Sequence, residues 1–325
     1  MAFRLKLVPD VTHFDFFKHQ RLTFGASVFA VIASVLLWAL MGLNFGIDFQ
    51  GGTTIRSEGT QPVDIGAYRE AIAPVTQGDV LITEVFDPGF GADRNVAMIR
   101  LQAQEGMESV TPETIAAVEA ALQALDPSIT FPSVESVGPK VSGELIWTAI
   151  LAVVAATGAI LVYIWLRFEW QFAVGAVAAL VHDVVVTIGV FALLQIRFDL
   201  SIIAALLTIL GYSINDTVVV FDRLRENLIK FKAMPLREVM NLSVNETLSR
   251  TLMTSGTTLI ALIALLVLGG DVIRGFVFAI TFGIVIGTYS SVFVAKNIVL
   301  WLGVKRDWSK PSDGPSGTQF ATSEK

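Results

Sequence analysis

The sequence predicts a polytopic α-helical membrane protein with six transmembrane helices and a small α+β ferredoxin-like (βαββαβ) domain between the first helix and the second. Three observations predict it. Only 16% of the 325 residues are charged and 53% are apolar, with a mean hydropathy of +0.65, whereas soluble domains carry about 25% charged residues. Six apolar stretches reach the length, about 20 residues, that crosses the hydrocarbon of a bilayer. Between the first two of them the acids concentrate. Residues 44–142 hold 14 Asp and Glu against 5 Lys and Arg, and the rest of the chain carries +3 of a net −6.

Taken in order, residues 1–21 form an N-terminal segment and 22–43 the first span, inside the uncharged run from Leu22 to Ile47. That run is longer than the roughly 7 to 15 residues of a secretory signal's apolar region, so it reads as an uncleaved anchor. The remaining spans occupy 143–303. Leu145 to Leu166 lies between Glu144 and Arg167, Thr251 to Gly270 between Arg250 and Asp271, and Gly275 to Ala295 between Arg274 and Lys296. Gln171 to Ile196 is apolar except for His182 and Asp183, and Leu200 to Phe221 except for Asp216. Residues 222–249 are expected as an amphipathic loop on the membrane surface, with Leu224, Leu228 and Phe231 as its apolar stripe and Pro235 opening a short helix. Residues 304–325 read as a tail, disordered from Ser309 onward by its Ser, Gly and Pro content.

Six spans put both termini on one side, and basic residues choose which. Arg4, Lys6, Lys18 and Arg21 precede the first span; Arg223, Arg225, Lys230, Lys232 and Arg237 fall in the loop; Lys305, Arg306, Lys310 and Lys325 lie in the tail. The opposite short loops hold only Arg197 and Arg274. Both termini are therefore expected in the cytoplasm and residues 44–142 outside. Within 44–142, Thr53 to Ser57 reads as a strand, Val63 to Ala73 as a helix, Val80 to Phe86 and Asn95 to Leu101 as strands around an Asp87-Pro88-Gly89 turn, Pro112 to Leu125 as a helix and Ile129 to Val137 as a strand. That order is a split βαβ unit, which leaves one sheet face for a partner.

Asp216 is the strongest functional signal. A charge at mid-helix costs roughly 2.5 to 3.5 kcal/mol on insertion scales, so it is expected to face the bundle interior and to have a use there. Thr208 and Tyr212 precede it at four-residue steps, and Asn215 adjoins it. Arg250 opens the fifth span with Thr254 and Thr257 or Thr258 on its face. Counted inward from Asp222 and Glu246, Asp216 and Arg250 differ in depth by only about 3 Å in an antiparallel helix pair. They are expected to meet or to share water, which poises the carboxyl to take and release a proton. A structural ion pair between the two spans is the alternative. His182 and Asp183, about 100° apart on a helix, are expected not to face one site equally, and serve either proton access or packing. Gly283, Gly287 and Ser291 form a small-residue stripe for helix packing. Lys296 is expected to snorkel to the headgroups.

The composition excludes other chemistries. There is no cysteine and there are three histidines, at 13, 19 and 182, so neither disulfides nor a zinc cluster are expected. Neither a phosphate-binding Gly-x-x-x-x-Gly-Lys-Ser/Thr loop nor a Gly-x-Ser-x-Gly elbow is present. No enzyme activity, no cofactor and no nucleic-acid partner are expected, and an ion gradient is the expected source of work.

Several segments in order carry a resemblance: Gly46-Ile47-Asp48-Phe49-Gln50-Gly51-Gly52, Val137-Gly138-Pro139, His182-Asp183-Val184, Gly211-Tyr212-Ser213-Ile214-Asn215-Asp216-Thr217, Phe221-Asp222-Arg223-Leu224-Arg225-Glu226-Asn227 and Arg250-Thr251-Leu252-Met253-Thr254-Ser255-Gly256-Thr257-Thr258. Together they resemble the SecF family of bacterial SecDF protein-export complexes, in the resistance-nodulation-division superfamily. The resemblance implies an inner-membrane subunit of the Sec pathway that pairs with SecD, associates with the SecYEG channel and uses the proton-motive force to translocate unfolded polypeptide, with protons as the coupling ion. It implies that Asp216 and Arg250 belong to the proton-conducting site and that residues 44–142 are periplasmic. Two rivals stand beside it: a proton-coupled exporter of small molecules or lipids from the same superfamily, and a translocon scaffold without transport.

Overall fold

A computed structural model describes residues 12–76, 80–85, 95–102 and 110–304. Helix α1 (Gln20–Met41) ends where Gly42 takes a φ of 67°, a left-handed value that stops a helix and that glycine adopts without strain. A short helix α2 (Ile47–Gln50) follows, and Gly51 and Gly52, at φ 74° and 119°, turn the chain into β1 (Gly52–Gly59).

In α3 (Ile65–Ile72) the Asp64 carboxylate caps the first turn, accepting from the backbone N–H of Gly66 and Ala67. Strands β2 (Val80–Val85) and β3 (Asn95–Leu101), helix α4 (Pro112–Leu125) and β4 (Thr130–Val137) complete the domain. All neighbours in the sheet order β2-β3-β1-β4 are antiparallel, the ferredoxin-like arrangement. Ile55 lies opposite Ile99, which lies opposite Ile82, and this row packs under Tyr68, Ile72, Val118 and Leu122 of the two helices. The Asp87-Pro88-Gly89 turn, residues 1–11 and the tail from 305 lie outside the described residues.

The bundle contains α5 (Pro139–Arg167), α6 (Trp170–Leu194), α7 (Leu200–Lys230), α8 (Leu236–Leu268) and α9 (Asp271–Ser290), which passes through a π-helical turn (Ser291–Ala295) into α10 (Lys296–Leu302). With α1 they supply six spans long and apolar enough to cross a membrane. Burial within the chain separates them. The apolar windows of α6, α7 and the last span are 50%, 44% and 56% buried, those of α1, α5 and α8 only 11%, 6% and 11%. Thus α6, α7 and α9 form the centre, and lipid or a partner must cover the rest.

Two expectations are corrected here. Residues 222–249 are not a surface loop: α7 runs on to Lys230, α8 begins at Leu236, and only 231–235 connect them. Leu224 and Leu228 face an apolar cluster with Phe17, Phe221, Val239 and Met240, so the amphipathic stripe is the inner face of a helical hairpin. Its polar side is tied by Asn227 Nδ2 donating to Ser243 Oγ (3.0 Å) and Glu246 Oε2 (2.6 Å), with Arg223 Nε donating to the same oxygen at 2.7 Å. Nor does Lys296 snorkel. It is 1% exposed, with Nζ 4.2 Å from the Phe17 ring centroid, 4.9 Å from Phe16 and 5.2 Å from Phe293. The cause is the segment before α1, which folds back and covers it.

Candidate functional site

Helical spacing on α7 sorts its polar residues onto two faces. Ser213, Asp216 and Thr217, at steps of three and four, are buried, whereas Thr208, Gly211 and Asn215 are exposed. Asp216 is 3% exposed. Ser255 of α8 sits 3.4 Å from its Oδ2 as donor, and Ser255 and Thr288 of α9 share a hydrogen bond of 2.8 Å. A carboxyl is thus enclosed at the junction of α7, α8 and α9. Arg250 is exposed on α8 and, among the described residues, forms no ion pair with Asp216.

The other residues anticipated around Asp216 divide. Tyr212 joins α7 to α8 by donating to Thr258 Oγ1 at 3.4 Å. The hydroxyls of Thr254 and Thr257 donate to backbone carbonyls of their own helix, Arg250 O at 3.1 Å and Met253 O at 2.8 Å, and Asn215 is exposed. Gly283 and Gly287 allow α9 to approach α7 closely. A Cβ at Gly283 would collide with Ile209, and one at Gly287 would stand 3.0 Å from Ser213 Cβ. Ser291 opens the π-helical turn, its hydroxyl donating to Thr288 O at 3.0 Å.

His182 and Asp183 are both buried and face different neighbours. The side chains close the gap: His182 Nδ1 lies 3.0 Å from Asp183 Oδ1. Asp183 faces α7 and α9, where Ser213 and Ser290 donate to its Oδ2 at 2.6 and 2.8 Å. The His182 ring turns toward Tyr289, centroid to centroid 6.2 Å. Tyr289 in turn donates to Thr23 O at 2.7 Å and meets Ser27 of α1 at 3.0 Å. Two enclosed carboxyls therefore occupy the centre. Sequence reasoning missed the hydroxyls that serve them: Ser213, Ser255, Thr288 and Ser290. Only Ser213, three residues before Asp216 on one helical face, carried a readable signal.

The glycine-rich segment has a role beyond turning the chain. Asp48 Oδ2 accepts from the Leu200 N–H at 2.9 Å, and Asp199 caps the same helix end by accepting from Ser201 N–H at 3.1 Å. Gly46 N–H donates to Phe198 O at 2.7 Å, and a Cβ at Gly46 would stand 3.1 Å from Asp199 Cβ. The start of α7 is thereby fastened to the residues that lead into β1. Beside this joint a cavity of about 750 Å³ lies between Thr54, Met98 and Arg100 on the open sheet face and Arg197 and Phe276 at the helix ends. Arg100 donates to Phe45 O and to Gln50 Oε1 at 2.5 and 2.8 Å. Burial and then the Arg197 charge hold its guanidinium below the ordinary arginine value, opposed by Asp48. No group of three or more His, Asp or Glu that could hold a metal ion is found among the described residues.

Comparison with known proteins bears on this arrangement. A family model described as SecD/SecF GG Motif matches residues 37–63, and one described as protein export membrane protein SecD/SecF, C-terminal, matches residues 117–305. The chain is 71% identical to protein translocase subunit SecF of Cereibacter sphaeroides over 99% of both chains, and 63% identical to that of Rhodobacter capsulatus over 96% of both. It also resembles the crystal structure of SecDF, a translocon-associated membrane protein from Thermus thermophilus, with a TM-score of 0.80 and 35% identity over 91% of this chain. The chain spans 39% of that larger one.

Proposed function

Because the chain belongs to the SecF family of protein translocase subunits, we propose that it couples proton movement at Asp216 to the export of unfolded polypeptide, as the SecF half of a SecDF complex beside the SecYEG channel. The observation that carries this reading is the enclosed Asp216 carboxyl, set where three spans meet and hydrogen-bonded by Ser255. One charge crossing 100 mV releases about 2.3 kcal/mol, enough to bias helix packing that exists in two arrangements. Loss of the Asp216 charge alters its attraction to Arg250 and its contact with Ser255, and the relative position of α7 and α8 changes with them. Through Asp48 of α2, which accepts from the first N–H of α7, that displacement passes into β1 and the sheet domain.

SecD is assigned as the partner that covers the exposed face of α7, where Thr208, Gly211 and Asn215 leave small and polar surface. Small residues permit close helix contact in lipid. Arg250, exposed on the neighbouring α8, then lies at the border of the two subunits rather than on the membrane. The basic residues of the N-terminal segment and of the α7–α8 connection support cytoplasmic termini in a bacterial inner membrane, with 44–142 in the periplasm. Protons are the coupling ion, and no cofactor or catalytic side chain enters the cycle.

The test uses the assembled complex in vesicles with an imposed proton gradient. Asp216→Asn, which keeps size and shape, is expected to abolish both proton flux and gradient-dependent completion of export while SecD still co-purifies. Unchanged flux and export in that variant overturn the reading. Unchanged flux with wild-type export under a collapsed gradient identifies a scaffold instead.

A further inference from the structure

Asp183 is fully enclosed, and three polar groups converge on it: the His182 ring at Oδ1, and the Ser213 and Ser290 hydroxyls, which donate to Oδ2. Each serine lies one short step along its own helix from the Asp216 cluster. On α7, Ser213 precedes Asp216 by three residues, which stacks them on one face. On α9, Ser290 follows Thr288 by two residues, and Thr288 holds Ser255, the donor to Asp216. Two rigid helical segments therefore join the two carboxyls, one through α7 and one through α9 and α8.

The surroundings make this joint stiff on one side and adjustable on the other. Gly287 brings α9 against Ser213, with Asp183 Oδ2 3.5 Å from where a Cβ would stand. Immediately after Ser290 the helix widens into its π turn, a form that appears mostly as single-turn bulges and often at functional sites. Asp183 pins the border between the regular helix and that turn.

We propose that Asp183 is a positioning residue for the Asp216 site: by holding Ser213 and Ser290 on one oxygen, it sets the axial register of α7 and α9 and so the contact of Asp216 with Ser255. The inference rests on the reading of Asp216 as the proton-exchanging carboxyl. A carboxylate is required because it is acceptor-only and takes two hydroxyls on one oxygen with the other free for His182; an amide turns one group into a donor facing donors.

The experiment uses the SecD-containing complex in vesicles, with two readouts: proton flux, and the rate at which a hydrophobic carbodiimide modifies Asp216, located by mass spectrometry. Asp183→Asn is expected to lower flux roughly tenfold and to change Asp216 modification by roughly threefold or more with assembly intact, the size expected of mutations that couple sites without touching the ligand. The double variant Ser213→Ala with Ser290→Ala, which keeps the Asp183 carboxylate, is expected to move both readouts in the same direction, and it carries the test if Asp183→Asn does not assemble. Asp183→Glu, with its displaced carboxyl, is expected to restore little. Wild-type flux and modification in the assembled variants, alongside an inactive Asp216→Asn, overturn the inference. Wild-type flux in Asp216→Asn overturns instead the reading on which it rests.

Discussion

The sheet domain and the helical bundle build their interiors by opposite rules. At the centre of the sheet domain are Ile55, Ile72, Ile99, Val118 and Leu122, all fully buried, and the buried polar groups on the same face of β1 are Thr53 and Ser57. At the centre of the bundle are two carboxyls, an imidazole and a set of hydroxyls. The sheet domain has a dry core, whereas the bundle encloses a polar cluster between its apolar ones. Water drives apolar side chains together in the first case. In lipid that drive is absent, so close approach at small residues and hydrogen bonds between helices replace it. The bundle can then change its packing by exchanging hydrogen-bond partners, whereas the sheet domain can only move as a body.

Substitutions that add bulk test this difference most severely. Gly283→Leu forces a side chain into Ile209, at the place where α9 packs on α7, and is expected to destabilise the bundle by about 3 kcal/mol or more, seen as loss of folded protein in detergent. Gly211→Leu adds the same side chain where nothing lies within 4 Å. The isolated chain is expected to tolerate it, while pairing with SecD fails in co-purification. Equal damage from the two variants would show that close helix approach is not what holds the bundle.

In the sheet domain the sensitive change is the removal of bulk. Leu122→Ala leaves a cavity beneath the sheet and is expected to cost about 2 to 5 kcal/mol, measured as faster proteolysis of the sheet domain. Proton flux through the bundle is expected to persist, because among the described residues no polar contact of the carboxyl cluster involves the sheet. Loss of flux in Leu122→Ala would mean that the two regions are not separable in this way.

The same contrast explains what could be read from the sequence. The sheet domain was legible because water imposes a pattern: β3 and α4 fall at the expected Asn95–Leu101 and Pro112–Leu125, with Pro112 marking the helix start. Spans were legible as apolar runs, but hydropathy stops at the first charge. It therefore ended α7 at Phe221 and began α8 at Thr251, although both helices continue through charged residues, to Lys230 and from Leu236. Asp216 stood out as one carboxyl in an apolar run. Its hydroxyl partners did not, because a serine or threonine in a span can equally bond to its own helix, as Thr254 and Thr257 do. Lys296 misled for a related reason: its neighbours in space, Phe16 and Phe17, are some 280 residues away in sequence.

The segment before α1 offers the smallest and most local version of the comparison, since it is attached to the bundle by both kinds of contact. Asn245 holds it by hydrogen bonds: Oδ1 accepts from Thr12 Oγ1 at 2.8 Å and from Phe14 N–H at 2.9 Å, and Nδ2 donates to Phe14 O at 2.8 Å. Phe17 holds it by apolar burial in the cluster with Phe221 and Leu224. Asn245→Ala removes its share of the polar attachment, at a local cost of about 1 to 2 kcal/mol, and leaves the Asn241 bonds to Phe16 N–H and Phe14 O together with the apolar contact. Hydrogen exchange at residues 12–16 is expected to quicken by roughly tenfold, the rate equivalent of about 1.4 kcal/mol, with exchange in α8 and at Phe17 little changed. Phe14→Ala, which removes an exposed ring but keeps every backbone bond to Asn245, is expected to leave exchange at these residues near wild type. If Phe14→Ala loosens the segment as much as Asn245→Ala does, apolar contact governs here too, and the rule of polar attachment does not extend beyond the enclosed carboxyls.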